Sequence, residues 1–235
     1  MSLQCGAILP AAGIGARMGG KLPKQYLELA GATLLEHSLS ALLDCPEISS
    51  VVVVLHAQDR RAADLSLLSD PRVRCVAGGT ERCDSVLAGL DVLAERTPEQ
   101  AWVLVHDAAR PCVLAHDIVR LIREVSARAI GGILAEPIVD TVKQAGEDGL
   151  VSRTLDRNGL WRAQTPQMFR LGELRQALQT AREQGLAVTD EASAMELAGY
   201  PVQLVPGSPS NLKVTVPADL ALAGWYLDRN KTWGR

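Results

Sequence analysis

Residues 8–26, ILPAAGIGARMGGKLPKQY, are the part of the chain best suited to chemistry. An apolar run breaks into glycines, and three cations, Arg17, Lys21 and Lys24, lie among them or just after them. Glycines let the backbone approach an anion closely, and cations beside them compensate its charge. The pattern favours a polyphosphate site, although an ordinary turn with solvated surface charges would have the same composition.

Two phosphate motifs fit this segment only in part. Gly13 and Gly15 begin a G-x-G-x-x-G dinucleotide fingerprint, but Met18 stands at the third glycine position. A G-x-x-x-x-G-K sequence ends at Lys21, yet it is followed by Leu22, where a P-loop has the Ser or Thr that binds magnesium. The sequence therefore argues against both a dinucleotide site and a P-loop.

The motif HDAARP contains Asp107, a candidate ligand for a hard cation at the end of an apolar run. Magnesium is typically held by one or two carboxylates together with substrate phosphates and water. The alternative is that Asp107 caps the residues that follow it or pairs with Arg110. Lys213 is a further candidate, because it lies inside the apolar run NLKVTV, where it either contacts a ligand or protects an edge strand.

The motif GGTERCDS provides another loop with polar side chains. Its glycines would let the backbone meet a flat ligand, which places Thr80, Arg82 and Ser85 near a base or a phosphate. Glycines are equally common in plain turns, and Asp84 precedes an amphipathic segment. We therefore interpret Asp84 as a helix cap.

Composition limits the classes of partner. The 235 residues carry a formal net charge of −3 and lack the basic excess of nucleic-acid-binding proteins. The apolar runs are too short to cross a bilayer, and the N-terminal residues show no signal-peptide pattern, so we expect no membrane partner and a cytoplasmic location. Five scattered cysteines without C-x-x-C spacing argue against a disulfide framework and a zinc site.

Strands and helices are predicted to alternate along the chain. Between the strands, apolar residues at i, i+4 and i+7 form helical faces, as at Leu35, Leu39 and Leu42. The pattern predicts an α/β fold in a single domain, residues 1–235, with a mainly parallel, Rossmann-like twisted sheet and helices on both faces. Ligands of such sheets bind beyond the carboxyl ends of the strands, where the three polar loops fall. The predicted strands are residues 6–9, 51–55, 73–76, 102–105 and 132–135.

The pattern changes between residues 137 and 166, and the predicted arm covers residues 137–160. Two β-like runs flank a loop at 145–149 that is rich in glycine and acidic residues, which predicts a β-hairpin arm outside the main sheet. Because a long arm is hard for a monomer to stabilise, we expect it to pack on another subunit. The elements predicted after the arm are helices at 171–182 and 190–197, strands at 202–205 and 212–216, and a last helix from 217 to about 227.

Taken together, these motifs resemble the 2-C-methyl-D-erythritol 4-phosphate cytidylyltransferases of the non-mevalonate isoprenoid pathway. The first two segments, PAAGIGARMG and PKQY, contain the glycine-rich opening that many nucleotidyltransferases share. The combination of PKQY with HDAARP, DRNGLW and TDEAS narrows the match to this family. The matching segments occur in the family's order over almost the whole chain. The other matching segments are GGTERCDSV, VHDAARP, DRNGLW, AQTPQ, TDEAS and NLKVT.

The resemblance implies that residues 10–15 wrap the cytosine and phosphates of CTP, and that Arg17 and Lys24 hold the triphosphate. It also implies that Asp107 binds Mg²⁺ and that Lys213 lies near the α-phosphate. Thr80 stands where an acidic residue is common in relatives, which leaves the base and ribose contacts there open. The implied nucleotide contacts are Pro10, Ala11, Ala12, Gly13, Gly15, Gly79, Thr80, Ser85, Asp107 and Ala108.

The implied reaction is attack by the phosphate oxygen of methylerythritol phosphate on the α-phosphorus of CTP, with release of pyrophosphate. The arm of a second subunit would complete the acceptor site, so the resemblance implies a homodimer. Each of two threonines has an alternative, purely structural interpretation. Thr165 is then a turn residue before Pro166, and Thr189 is a helix cap. The implied acceptor contacts are Arg110, Thr165 and Thr189 of one subunit, with Thr141 and the catalytic residue Arg157 on the partner's arm.

Two other functions fit the same residues. A sibling cytidylyltransferase that acts on another sugar or polyol phosphate would differ on the acceptor side. A nucleotide-binding regulator without catalysis would keep the fold, but it would not need cations around every phosphate.

Overall fold

Eleven strands are found in the computed structural model of the protein, which describes residues 3–13 and 22–233. Seven of these strands form a central sheet, and four others form two small hairpins. In chain order the strands are β1 (Cys5–Ala11), β2 (Glu28–Leu29), β3 (Ala32–Thr33), β4 (Ile48–Leu55), β5 (Val73–Ala77), β6 (Trp102–Val105), β7 (Gly132–Pro137), β8 (Val142–Ala145), β9 (Val151–Leu155), β10 (Trp161–Arg170) and β11 (Gln203–Pro206).

The central sheet has the strand order β11-β7-β10-β6-β1-β4-β5, and β10 alone runs antiparallel to its neighbours. In the middle of the sheet, Ile8 of β1 lies opposite Val52 of β4 and Val105 of β6. Apart from Ser49 and Ser50 near the start of β4, these strands are apolar because helices cover both faces. The predicted mainly parallel α/β fold is therefore confirmed.

The helices lie on both faces of the sheet. On one face, α1 and α3 share a buried apolar cluster with Leu9, and on the other, α2, α4 and α5 share one with Ile8; both side chains are fully buried. The apolar helical faces expected from the sequence are the ones that the core buries. In the part of the chain that is described, no helix is long and apolar enough to cross a membrane. The helices are α1 (Leu34–Leu43), α2 (Arg82–Ala94), α3 (Ala115–Arg128), α4 (Leu171–Glu183), α5 (Glu191–Leu197) and α6 (Pro217–Trp233).

Three elements differ from the prediction. The sequence pattern does not predict strand β10, because WRAQTPQMFR is rich in polar residues and contains proline. The predicted strand at 212–216 is wrong, because this segment forms no strand. Its apolar pattern has another cause: Val214 is buried against Leu34, Cys112 and Ala223 beside the sheet. The last helix also extends beyond residue 227, to Trp233.

The arm is a separate two-stranded antiparallel sheet, as predicted. Strand β8 pairs with β9 from Val142 opposite Leu155 to Ala145 opposite Val151. Neither strand joins the central sheet. The turn contains Gly149 at a φ of +78°, a conformation that glycine adopts readily.

Candidate active site

A cavity of about 430 Å³ lies at the carboxyl ends of β1, β5 and β6. The three loops that the sequence places at this edge do converge there, because β1, β4, β5 and β6 all run in the same direction. The cavity is lined by Pro10, Ala11, Ala12, Gly13, Lys24, Gln25, Gly79, Thr80, Glu81, Arg82, Ser85, Asp107, Ala108, Ala109, Lys213 and Thr215.

The glycine loop after β5 packs too closely on its neighbours to carry side chains. A Cβ on Gly78 would lie 2.6 Å from the Ser85 hydroxyl and 2.7 Å from Cβ of Ala12. A Cβ on Gly79 would lie 2.3 Å from Cβ of Asp84. Glycine at both positions therefore brings the start of α2 against the end of β1, and together these elements form one wall of the cavity.

The start of α2 is fixed by side-chain caps. The N-cap of α2 is Glu81 rather than the predicted Asp84. Asp84 lies inside the helix at its third position, and its carboxylate accepts a hydrogen bond from the Glu81 N–H at 3.2 Å as part of a capping box. The buried Ser85 hydroxyl donates to the Glu81 carbonyl at 3.2 Å. Thr80, Glu81 and Ser85 consequently line the cavity from a rigid helix terminus.

Lys24 lies on the cavity wall in a short 3-10 turn, Lys24–Tyr26, that follows Pro23. The buried Gln25 amide donates to the carbonyl of Ala11 at 2.7 Å, which ties this turn to the end of β1. On the other side, the Tyr26 hydroxyl donates to Asp59 at 2.7 Å. Gln25 therefore places Lys24 relative to the glycine-rich loop.

Asp107 faces three cations. Its Oδ2 lies 2.7 Å from Nζ of Lys213 and 3.9 Å from Nε of Arg110, and its Oδ1 lies 3.2 Å from Nη2 of Arg82. Burial by itself opposes ionisation, but Arg82 and Lys213 more than offset it and hold the pKa of Asp107 well below its usual range. Asp107 is therefore a fixed negative charge on the cavity wall.

Arg82 connects Asp107 to a buried carboxylate on α5. Its Nη1 and Nη2 donate to the two oxygens of Glu191 at 2.5 and 3.0 Å, and Glu191 is 1% exposed. Burial alone would lower the pKa of the Arg82 guanidinium, but the carboxylates of Glu191 and Asp107 raise it above its ordinary value. Arg82 thus stays charged.

A chain of buried hydrogen bonds holds the backbone of the Asp107 loop. The Asp107 N–H donates to the Thr165 hydroxyl at 3.0 Å, and this hydroxyl lies 2.9 Å from Nδ1 of His106. The His106 Nε2 lies 3.2 Å from the carbonyl of Arg110. Burial lowers the pKa of His106 to about 4, so the ring is neutral at pH 7. The geometry fits a ring that carries its proton on Nε2 and accepts from Thr165.

Arg110 and the segment around Lys213 brace each other. Arg110 donates to the carbonyl of Asn211 at 2.6 Å and to that of Ala163 at 3.2 Å. The Val214 N–H donates to the carbonyl of Ala109 at 2.8 Å. Burial lowers the pKa of Arg110, whose side chain is 11% exposed and does not line the cavity. These bonds hold Lys213 opposite Asp107 although no strand forms there.

The other predicted site residues lie away from the cavity lining or outside the described residues. Thr165 is buried beneath Asp107. Thr189 is exposed just before α5, and Asp190 caps this helix by accepting from the Ser193 N–H at 3.0 Å. The exposed positions on or beside the arm are Thr141 and Arg157, whose guanidinium donates to the Val139 carbonyl. The predicted residues Gly15 and Arg17, together with Lys21, fall in the range that the structure does not describe.

Sequence reasoning did not assign some residues of this wall. Gln25 stands beside Lys24 in the motif PKQY, and Glu191 stands inside TDEAS, so both motifs carried a signal. Their contacts come from other elements, however, and no spacing along the chain indicates them. The cavity residues without a prediction are Gln25, Glu81, Ala109 and Thr215.

Comparison with known proteins agrees with this geometry. A family model described as IspD, 2-C-methyl-D-erythritol 4-phosphate cytidylyltransferase, matches residues 5–229. The chain is 50% identical to the protein of that name from Photobacterium profundum, over 97% of this chain and 98% of that protein. It is 51% identical to the protein of that name from Haemophilus influenzae, over 96% of this chain and 97% of that protein.

Solved structures show the same likeness. A crystal structure of 4-diphosphocytidyl-2C-methyl-D-erythritol synthase superposes with a TM-score of 0.83 at 38% identity, covering 97% of this chain and 100% of that chain. The 2-C-methyl-D-erythritol 4-phosphate cytidylyltransferase of Francisella tularensis superposes with a TM-score of 0.80 at 37% identity, covering 95% of this chain and 99% of that chain. The chain therefore belongs to the IspD family of 2-C-methyl-D-erythritol 4-phosphate cytidylyltransferases.

Proposed function

We propose that the cavity beside Asp107 binds CTP and that this chain transfers its cytidylyl group to 2-C-methyl-D-erythritol 4-phosphate, with release of pyrophosphate. The reaction is the one that names the family. The observation that carries the assignment to this cavity is that Lys24 and Lys213 line it together with Asp107 and the glycine loop. A triphosphate needs cations of this kind beside backbone that it can approach closely.

The nucleoside half of CTP would lie against the backbone of the two glycine-containing loops. Residues 10–13 and Gly79 present backbone without large side chains, and Thr80 and Ser85 add hydroxyls at the start of α2. Arg17 and Lys24 would hold the triphosphate, together with Gly15 and Ala108. Lys213 would then lie near the α-phosphate, where negative charge develops as pyrophosphate departs.

The chemistry requires positioning rather than a strong base. A phosphate monoester is already anionic near neutral pH, so its oxygen can attack the α-phosphorus directly. The main obstacle is repulsion between two anions, which fixed cations reduce. The chain's own contribution is to orient both phosphates in line and to compensate their charge with Arg17, Lys24 and Lys213.

The residues present fit a magnesium ion that substrate phosphates help to hold. Asp107 is ionised and lines the cavity, and one carboxylate with phosphates and water is a common magnesium environment. No group of three His, Cys, Asp or Glu side chains suited to a metal occurs among the described residues. The proposed site therefore relies on one carboxylate together with substrate phosphates and water. Mg²⁺ bound there would neutralise phosphate charge, and Asp107 would be its protein ligand.

The acceptor would bind beside Asp107, with Arg110 and Thr189 as proposed contacts. Thr165 is buried with its hydroxyl on the Asp107 N–H, so it would hold the Asp107 loop rather than touch substrate. Thr141 and Arg157 of the same chain lie on or beside the arm and do not line the cavity. We therefore propose a homodimer in which residues 137–160 of each subunit complete the acceptor site of the other. In this arrangement residues 1–235 work as one nucleotidyltransferase domain.

A pyrophosphate-release assay tests the proposal. We expect turnover with CTP, Mg²⁺ and 2-C-methyl-D-erythritol 4-phosphate, and background rates with ribitol 5-phosphate. Activity with ribitol phosphate alone would identify a sibling cytidylyltransferase. Nucleotide binding by calorimetry without turnover on any acceptor would instead identify a regulator. ATP, GTP and UTP in the same assay measure base selectivity.

A further inference from the structure

Arg82 links the cavity wall to a buried carboxylate from a distant part of the chain. It is the first residue of α2, directly after the glycine loop, and its side chain reaches the first residue of α5, Glu191. Both Glu191 oxygens accept hydrogen bonds from the guanidinium, at 2.5 and 3.0 Å. Because Glu191 is buried and fully paired in this way, the guanidinium is held in one orientation.

The same guanidinium occupies one oxygen of Asp107. Nη2 of Arg82 lies 3.2 Å from Oδ1, whereas Nζ of Lys213 lies 2.7 Å from Oδ2. Asp107 is thus shared among the fixed guanidinium of Arg82, the more distant Arg110 at 3.9 Å, and Lys213, whose flexible side chain is 40% exposed. The strength with which Asp107 attracts Lys213 therefore depends on Arg82.

We infer that Arg82, oriented by Glu191, is a positioning residue for cytidylyl transfer: it neutralises part of the Asp107 charge so that Lys213 is free to reach the α-phosphate. This inference rests on the proposed function of the cavity. Lys213 is already the nearer of the two cations to Asp107, at 2.7 Å against 3.2 Å for Arg82. Without Arg82, it would face more of the uncompensated Asp107 charge and be held more tightly against the wall. The loss then falls on the chemical step, where Lys213 acts, rather than on the binding of CTP.

The pair has a structural role as well, because it joins α2 to α5. Removing one partner alone would leave a buried charge unpaired and destabilise the fold. Replacing both partners by glutamine, Arg82→Gln with Glu191→Gln, keeps a polar, hydrogen-bonding pair without charge. The matched control is Arg74→Gln with Glu95→Gln, an exposed pair of the same residue types at 3.1 Å outside the cavity.

The experiment compares kcat, KM for CTP and the melting temperature of these two double variants with the wild type. We expect the Arg82/Glu191 variant to melt near the wild type but to lose about tenfold in kcat, with KM for CTP changed by less than about threefold. The Arg74/Glu95 control should keep all three values.

Wild-type kcat in the folded Arg82/Glu191 variant would overturn the inference, because the pair would then be purely structural. An increase in KM alone would also overturn it and make Arg82 a direct CTP contact. If the double variant does not fold, Arg82→Lys replaces it: its single ammonium group cannot hold both carboxylates, and unchanged kcat there counts equally against the inference. An inactive wild type would contradict the proposed function instead.

Discussion

The wall around Asp107 and the arm at residues 137–160 differ in how they hold the residues proposed to act on substrate. Asp107 is 8% exposed and contacts side chains from the start of α2, from its own loop and from the 211–215 segment. In the arm region, Thr141 and Arg157 are exposed, and β8 and β9 pair only with each other in the described sheets.

The wall around Asp107 is preorganised, whereas the arm presents exposed surface. Buried ion pairs and hydrogen bonds fix the cations near Asp107 before any substrate arrives. The arm instead carries the most exposed large apolar side chains among the described residues, Val139, Leu150 and Val151, at 71%, 69% and 64% exposure. An exposed apolar surface of this kind fits a second subunit better than solvent.

The largest effect is expected at the preorganised wall. Lys213→Ala removes the cation proposed to stabilise charge at the α-phosphate and should lower kcat by about 10²–10³-fold. The fold should persist, because the Lys213 side chain is 40% exposed. Steady-state kinetics and circular dichroism measure both quantities. Arg175→Ala, which removes a similar exposed cation paired with Asp91 at 2.7 Å, is the control and should keep wild-type turnover.

The composite nature of the site predicts complementation between inactive variants. Arg157→Ala and Lys213→Ala should each be nearly inactive, but their heterodimer contains one site with both residues intact. After equal mixing and subunit exchange, about one quarter of wild-type activity should return. Mass spectrometry of differently tagged subunits verifies the exchange. If exchange is complete and activity stays absent, Arg157 acts within its own subunit.

The buried wall, unlike the arm, should respond to mild acid. The folded-state pKa of His106 is about 4, below the 6.5 of an ordinary histidine, so protons bind the unfolded state more readily. The neutral, buried ring therefore contributes fully to the stability of the fold above pH 6.5, and this contribution is lost as the pH falls toward 4. At pH 5 the free energy of unfolding should be lower by about 2 kcal/mol than at pH 7 from this group alone.

Urea unfolding at both pH values measures this loss. His106→Gln should reduce it, whereas the exposed His56→Gln should leave it unchanged. Residues 137–160 contain no histidine, so dimer dissociation should not follow the same pH curve. An equal pH dependence in the His106 variant would contradict the assignment.

The smallest effect is expected for a truncation on the arm. Val151→Ala should change the unfolding free energy of the monomer by less than about 0.5 kcal/mol, because this side chain is exposed. Val103→Ala in the buried strand β6 should cost about 2 kcal/mol. Urea unfolding at protein concentrations below the dimer dissociation constant compares the unfolding free energies of the two variants. Val151→Ala should still weaken the dimer in sedimentation experiments; an unchanged dimer would place the interface elsewhere.

Local patterns predicted most of the elements. The apolar runs of β1, β4 and β6 need no partner to be recognised, since strands buried on both faces are apolar throughout. The faces of α1, α2 and α3 and the hairpin arm likewise follow from periodicity and turn residues. The motifs around Asp107 and Lys213 indicated a phosphate site, and the resemblance they carry identified the family that the comparisons confirm.

Contacts between distant segments determine the elements that local patterns do not predict. Strand β10 could not be read from its polar residues, because its place between β6 and β7 comes from antiparallel pairing with both. The apolar residues of the 212–216 segment, Leu212 and Val214, pack in a small cluster beside the sheet and do not form a strand of it.

The chain by itself determined which chemistry was available: glycine loops, cations and one carboxylate at the ends of strands. Only the folded chain brings a particular cation to each oxygen of Asp107, and it joins Arg82 by an ion pair to the buried Glu191, 109 positions further along the chain. The physical reason is that charge pairing depends on distance in space, and spacing along the chain says nothing about distance once the chain folds back on itself.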